Sequence, residues 1–239
     1  IAADYTACLD GNALGGARLG LARDFLGQDA DVDGAIESAV ATLRGQGAEV
    51  VDVRLSAWLL AAKGGFYDAI RCPEFKAQIA DYLATRPGDV PRDIDQPLAR
   101  VSGVTTPRPD GGGPNPARWN LLRREAAAAD LADAHYRAVR DHALPLVRSV
   151  IDGVLSSQRL DALVYPTLPT RPPLLTAPPN PPGGAAGTPA NLANLTGYPD
   201  LVVPAGMTAD GLPVTVSFLG PASSEGRLLA PGYAFERAT

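Results

Sequence analysis

Two histidines, His135 and His142, are the only imidazoles in the chain, and their spacing on a helix puts them on roughly one face, two turns apart. A helical metal site needs ligands at i and i+4 with others converging, and a Ser-His-Asp arrangement cannot be located by sequence proximity. The pair therefore reads as solvent-facing helical histidines. Asp29-x-Asp31-x-Asp33-Gly34 matches the opening of a calcium loop, but Val40 stands where the closing bidentate Glu belongs. Carboxylates at a helix start explain the triplet better. Gly45-Gln46-Gly47 imitates a dinucleotide fingerprint in the wrong order, after a helix and before a strand, and fits a helix C-terminus. Cys8 and Cys72 form neither a CxxC pair nor a disulfide framework and read as small apolar groups. The serine pairs Ser156-Ser157 and Ser223-Ser224 lack flanking glycines and read as solvated helix-end serines. The two lysines, Lys63 and Lys76, adjoin no serine-bearing motif. No phosphate loop, nucleophile elbow or HExxH occurs, so no metal and no cofactor is expected.

The elements that would position such groups alternate between strand and helix. Arg18–Arg23 is an apolar run predicting a buried strand, and Ala35, Ile36, Ala39, Val40 and Leu43 recur at helical spacing until the glycines stop them. The β-branched Glu49–Val53 completes a strand-helix-strand unit of the kind that builds parallel sheets. Helical texture follows from Ser56 to Thr85, with Pro73 dividing it, and from Asn120 to Ala143, with a further helix after Pro145. Residues 87–116 hold a Pro/Gly-rich excursion. Leu160–Tyr165, Leu201–Val203 and Val214–Phe218 predict strands, Asn191–Thr196 a short helix, and the C-terminal segment a helix interrupted at Pro231-Gly232. The stretch from Pro166 to Pro189 is a long, semi-rigid proline loop. The expected fold is α/β, a mixed, largely parallel sheet flanked by helices in a single domain over 1–239. Leu19, Leu21, Val51, Val53, Leu163, Val164, Val202, Val203, Val214 and Val216 are its expected buried residues.

Composition narrows the function classes. The chain has 239 residues, 46% hydrophobic and 20% charged, with 21 basic against 26 acidic residues for a net charge of −5. That balance gives no long-range attraction to phosphate backbones or anionic lipid, so nucleic acid and membrane partners are not expected. The longest apolar stretches, Leu59–Ala62 and Ala126–Ala129, fall far short of the roughly 18 residues of a membrane span. Opening on Ile1 rather than Met, the chain is expected to be the continuation of a longer polypeptide, and cytoplasmic and exported locations both stay open.

The second half then becomes specific. Leu160-Asp161-Ala162-Leu163-Val164-Tyr165-Pro166-Thr167, the proline loop, Asn191-Leu192-Ala193-Asn194-Leu195-Thr196-Gly197-Tyr198-Pro199, Leu201-Val202-Val203-Pro204-Ala205-Gly206, Gly211–Gly220 and Leu228-Leu229 follow in an order that resembles the C-terminal half of the amidase signature family. The opening from Asp4-Tyr5-Thr6 to Gly16-Ala17-Arg18-Leu19-Gly20 is similar to the middle of its peptide amidase-like branch. Between about Ser56 and Ala117 the resemblance is thin. It implies hydrolysis of a carboxamide C–N bond by a serine nucleophile, a second serine in a cis peptide and a lysine, the lysine moving protons without histidine. In the family those three lie upstream of the matching region, so no residue of this chain is expected to be catalytic, and the chain alone is expected to be inactive.

The resemblance leaves this half with sheet, pocket rim and selectivity. Tyr165 and Thr167, where Pro166 directs the chain off the sheet, and Asn191 and Asn194, on the short helix that returns it, are the candidate substrate-binding residues. Pro178-Pro179 and Pro181-Pro182 stiffen the loop between them, and Tyr198-Pro199-Asp200 replaces the smaller residues common in the family. The implied partners are a small-molecule or peptide amide and the missing N-terminal half, with homo-oligomerisation left open. The alternative is a non-catalytic binding or assembly domain that keeps the fold without the chemistry.

Overall fold

The computed structural model describes residues 4–102, 116–172 and 188–239. In chain order the elements are β1 (Arg18–Ala22), α1 (Ala30–Gly45), β2 (Glu49–Val53), α2 (Ala57–Ala84), α3 (Asp95–Ser102), α4 (Pro116–Ala126), α5 (Ala134–Ala138), α6 (Leu144–Ser157), β3 (Ala162–Pro166), α7 (Asn191–Thr196), β4 (Asp200–Met207), β5 (Pro213–Leu219) and α8 (Glu225–Ala238). Of the Pro/Gly-rich excursion, residues 103–115 lie outside the described residues, as do 173–187 of the proline loop with Pro178-Pro179 and Pro181-Pro182. The described part of the excursion is not wholly irregular, since α3 forms within it. The chain divides into two compact units, one of residues 1–64, 145–174 and 183–239 and one of 65–144 and 175–182.

The first unit holds a five-stranded mixed sheet in the order β2-β1-β3-β5-β4. β1 runs parallel to both β2 and β3, whereas β5 is antiparallel to both β3 and β4. α1 starts where the Asp29 carboxylate accepts the Asp31 amide at 3.1 Å and ends before Gly47, whose φ of +93° suits a residue without a Cβ. Leu19, Leu21, Val50, Val164, Val203, Val216 and Phe218 pack on one face with Ile36, Val40 and Leu43 of α1 and Phe235 of α8. Alternation along the strands sends Leu163, Tyr165, Ser217 and Leu219, all fully buried, to the opposite face. There β1 is crowded enough to require glycine: a Cβ at Gly20 would stand 2.5 Å from Leu160 and 2.8 Å from Val53.

Two expected core residues differ. Val202 is 48% exposed and Val51 only partly buried. Both lie on edge strands, and β4 buries Val203 and Ala205 while its other face stays open, so the pattern of a strand covered on both sides does not hold there.

Three prolines expected to break helices are absorbed. α2 runs through Pro73 and α8 through Pro231. Pro145, with no N–H, is accommodated by a π-helical turn at Val139–Ala143, in which the Leu144 amide reaches back to the Val139 carbonyl, so α5 continues into α6. The real interruption lies between Ala126 and Ala134, where Asp130 caps the Ala132 amide and Asp133 those of His135 and Tyr136. Within the second unit, Lys76 donates to the Ala128 carbonyl (2.9 Å), the Tyr136 hydroxyl to Glu74 (3.0 Å), and Arg71 pairs with buried Glu125.

Candidate functional site

β3 carries the site. All five of its residues are buried, and the segment Tyr165-Pro166-Thr167 leaves the sheet beside β5. Pro166 ends the strand without ending the ladder at once, because the Thr167 amide still donates to the Thr215 carbonyl at 3.1 Å. Tyr165 stands opposite Ser217, and Ser217 in turn opposite Val202, so one level of the sheet brings together β3, β5 and β4.

Hydroxyl and carboxyl groups occupy that level. The Tyr165 hydroxyl donates to Asp200 Oδ2 at 3.0 Å, and the Thr167 and Ser217 hydroxyls lie 3.0 Å apart. Tyr165 and Ser217 are fully buried, Thr167 half-buried. Burial pushes the Asp200 carboxyl above its usual range, while the Tyr165 and Ser217 hydroxyls pull it back down. Burial first, then the Asp200 charge and hydrogen bond, drive the Tyr165 phenol well above its ordinary value. Asp200 Oδ1 is buried with no hydrogen-bond partner among the described residues. Burial thus favours the protonated acid, against the hydrogen bonds that Tyr165 and Ser217 offer the carboxylate.

The Tyr165 ring meets Phe25 edge-on, with centroids 5.6 Å apart. Over the same Phe25 ring, at 5.9 Å, lies the ammonium of Lys63 from the start of α2. Lys63 is 2% exposed, donates to the Thr188 carbonyl at 2.7 Å, and burial lowers its pKa to about 8. Thr188 leads into α7, whose first residue, Asn191, is buried. From β3 to α7 the contacts thus run Tyr165, Phe25, Lys63, Thr188. At the far end of α7 the Arg148 guanidinium donates to the Thr196 carbonyl (2.8 Å), and Gly197, φ +71°, closes the helix. The Tyr198 hydroxyl then donates to Asp152 at 2.8 Å, its pKa raised to about 12 by burial and that carboxylate.

Of the four residues singled out from the sequence, Tyr165 and Thr167 share the hydroxyl cluster, and Asn191 is buried at the head of α7, three residues after the Thr188 carbonyl that Lys63 holds. Asn194 does not join: it is exposed on the outer side of α7. Sequence reasoning missed Asp200, Ser217 and Lys63. The signals were present: a lone lysine after the apolar Leu59-Leu60-Ala61-Ala62, and a serine inside a largely apolar strand. The remaining chemical groups are placed elsewhere. His135 and His142 are exposed in the second unit, Cys72 is buried there, and Asp29 is bound by Arg171 (2.9 Å). Ser156 and Ser157 are exposed as expected, but Ser224 is buried at the start of α8.

A family model described as Amidase matches residues 4–229. The native peptide amidase from Stenotrophomonas maltophilia superposes with a TM-score of 0.78 at 33% identity, over 99% of this chain and 45% of that one. A bacterial aryl acylamidase of the amidase signature family, at 21% identity and a TM-score of 0.69, shares the fold. Among curated relatives, a glutamyl-tRNA(Gln) amidotransferase subunit of Roseiflexus castenholzii is 33% identical over 250 residues, covering 100% of this chain and 47% of the relative. Its counterpart in Halorhodospira halophila is 30% identical, covering 99% and 48%. The chain spans about half the length of the relatives it matches. No described helix is long and apolar enough to cross a membrane.

Proposed function

The chain belongs to the amidase family, and on that premise we propose that it is one half of a serine-dependent amidase that hydrolyses a carboxamide to a carboxylate and ammonia or an amine. The observation that carries this reading is the match along nearly the whole chain, 98% of it in the peptide amidase bound to chymostatin, at 33% identity. The serine nucleophile, the cis-peptide serine and the lysine are supplied by the part of the protein that precedes this half. The two lysines of this chain hold backbone carbonyls, Lys63 that of Thr188 and Lys76 that of Ala128, which suits anchors rather than proton carriers.

In this reading the β3 rim forms a wall of the amide pocket. Tyr165, with its hydroxyl committed to Asp200, and Asn191, buried at the head of α7, hold the wall in shape. Thr167, half-buried beside Ser217 at the end of β3, is the residue placed to contact substrate, whereas Asn194, exposed on α7, stands apart from that wall. The amidotransferase relatives are named as subunits, which supports a form that works with partner chains. Release of ammonia or an aryl amine from peptide amides, aryl amides and glutamine tests the proposal. The protein with its preceding half should turn over at least one of them, and residues 1–239 alone should turn over none. Turnover by the chain alone, abolished by replacing one of its own serines, would overturn the assignment of the chemistry, and no turnover by the whole protein would favour a binding or assembly domain.

A further inference from the structure

A hydroxyl carries one proton and two lone pairs, so a chain of hydroxyls has a direction, set by whatever lies at its closed end. Thr167 and Ser217 form such a chain. Their oxygens lie 3.0 Å apart, a separation at which either can donate. Ser217 is fully buried, whereas Thr167, just past the end of β3, is half-buried. The closed end is therefore Ser217, and what its proton meets there fixes the direction.

That proton meets Asp200. Val202 of β4 stands opposite Ser217 of β5, and Asp200, two residues earlier, shares the same face of its strand, so the carboxyl and the Ser217 hydroxyl are diagonal neighbours. The Tyr165 hydroxyl already donates to Oδ2 at 3.0 Å. Oδ1 is buried and has no partner at hydrogen-bond geometry among the described residues, and the Ser217 hydroxyl acts on the same carboxyl as a donor, pulling its pKa down. A Ser217 proton turned to Thr167 would leave that buried oxygen unserved, at a cost in free energy. Turned to Asp200, it serves the carboxylate, and Thr167 then donates inward to Ser217. The outward side of the Thr167 oxygen is left with lone pairs only.

We infer that Asp200, acting through Ser217, sets the hydrogen-bonding polarity of the rim so that Thr167 accepts and does not donate, and that this selects substrates whose leaving group carries an N–H. The inference rests on the reading of this rim as the wall of an amidase pocket. Primary and secondary carboxamides present such a proton and keep it as the nitrogen becomes tetrahedral and departs. The alkoxy oxygen of an ester offers only lone pairs, which would face those of Thr167. Asp200 and Ser217 are positioning residues, since they act through Thr167. Asp200 lies in Tyr198-Pro199-Asp200, where the amidase signature family commonly has smaller residues, so the arrangement belongs to this chain.

Two measurements on the protein translated from the complete reading frame test the inference. Neutron diffraction from deuterium-exchanged crystals near neutral pH reads the polarity. The Ser217 deuterium should lie toward Asp200 and the Thr167 deuterium toward Ser217. A deuterium on Asp200, or a Ser217 deuterium turned to Thr167, would overturn the inference. The second measurement is the ratio of kcat/KM for a primary carboxamide to that for the methyl ester of the same acid. Thr167→Val removes the acceptor and Ser217→Ala frees the Thr167 proton to turn outward. Each should lower the ratio about 10-fold and the double variant by no more than either, whereas Thr167→Ser, which keeps the hydroxyl, should hold it. Loss of stability alone lowers both rates together and does not move the ratio. An unchanged ratio in both single variants would overturn the inference while the amidase reading stands. Turnover of neither substrate would remove the amidase reading and the substrate with it, and the deuterium positions would then decide the polarity of the rim by themselves.

Discussion

Tyr165→Phe removes one oxygen from the centre of the site without changing the shape of the ring packed on Phe25. It leaves Asp200 without the 3.0 Å hydrogen bond it receives, while Oδ1 already lacks a partner among the described residues. The cost depends on whether Asp200 is charged. Burial raises its folded pKa, so its contribution to stability is full below the unfolded value and is lost as pH rises through the folded one. Deleting the hydroxyl, one of the groups that pulls the carboxyl down, moves that loss to higher pH and deepens it at neutrality. A bond to a charged acceptor is worth about 1.5–3 kcal/mol and one to a neutral acceptor about 0.5–1.5 kcal/mol. The variant should therefore lose the larger amount near pH 7 and the smaller near pH 3.5, by urea unfolding followed with far-UV circular dichroism. In an Asp200→Asn background, where the acceptor is a neutral amide oxygen at every pH, the same substitution should cost about 0.5–1.5 kcal/mol at both pH values. With Asp200 in place, equal losses at the two pH values, or no loss at either, would refute the placing of Tyr165 against a buried acid.

Gly20→Ala should destabilise by about 1–3 kcal/mol through overpacking, because the new methyl meets Leu160 and Val53 at 2.5 and 2.8 Å; Leu160→Ala in the same chain should recover part of the loss in denaturant unfolding. For Lys63, burial lowers the folded pKa to about 8 from the ordinary 10.5, so the unfolded chain binds the extra proton between those values and stability should climb with pH across that window. Lys63→Met should abolish that climb, and a variant that keeps the wild-type slope would place the titration elsewhere. In the complete protein, Thr167→Val should lower kcat/KM for amides by the equivalent of about 1–3 kcal/mol if its hydroxyl meets substrate, with unfolding measured alongside to separate binding from stability.

The elements that could be read from the sequence were those whose limits are set locally. β2 matched because a β-branched run lies between the helix-ending Gly47 and Arg54, and α7 because Asn191–Thr196 is bounded by Pro189 and Gly197. The mixed α/β sheet followed from the same logic. Pro73, Pro145 and Pro231 were misread as breaks because the penalty of a proline is local, about 3 kcal/mol, whereas the helices around them are held by packing the sequence does not display. Val202 failed for a related reason: an apolar strand reads the same whether both of its faces are covered or, as at this sheet edge, one is open. In the site, Tyr165 and Thr167 were found because Pro166 marks where β3 leaves the sheet. Asp200 and Ser217 were not, because what brings them to Tyr165 is the register of β5 between β3 and β4.

The central claim is that this chain builds the wall of a serine amidase whose nucleophile lies in the preceding half. Trapping the acyl-enzyme tests it most directly: the complete protein is quenched in acid during turnover of an activated amide, digested, and the acylated peptide identified by mass. The account predicts one acyl group on a serine that precedes Ile1 and none on residues 1–239. An acyl group on Ser217, or on any other serine of this chain, would contradict it.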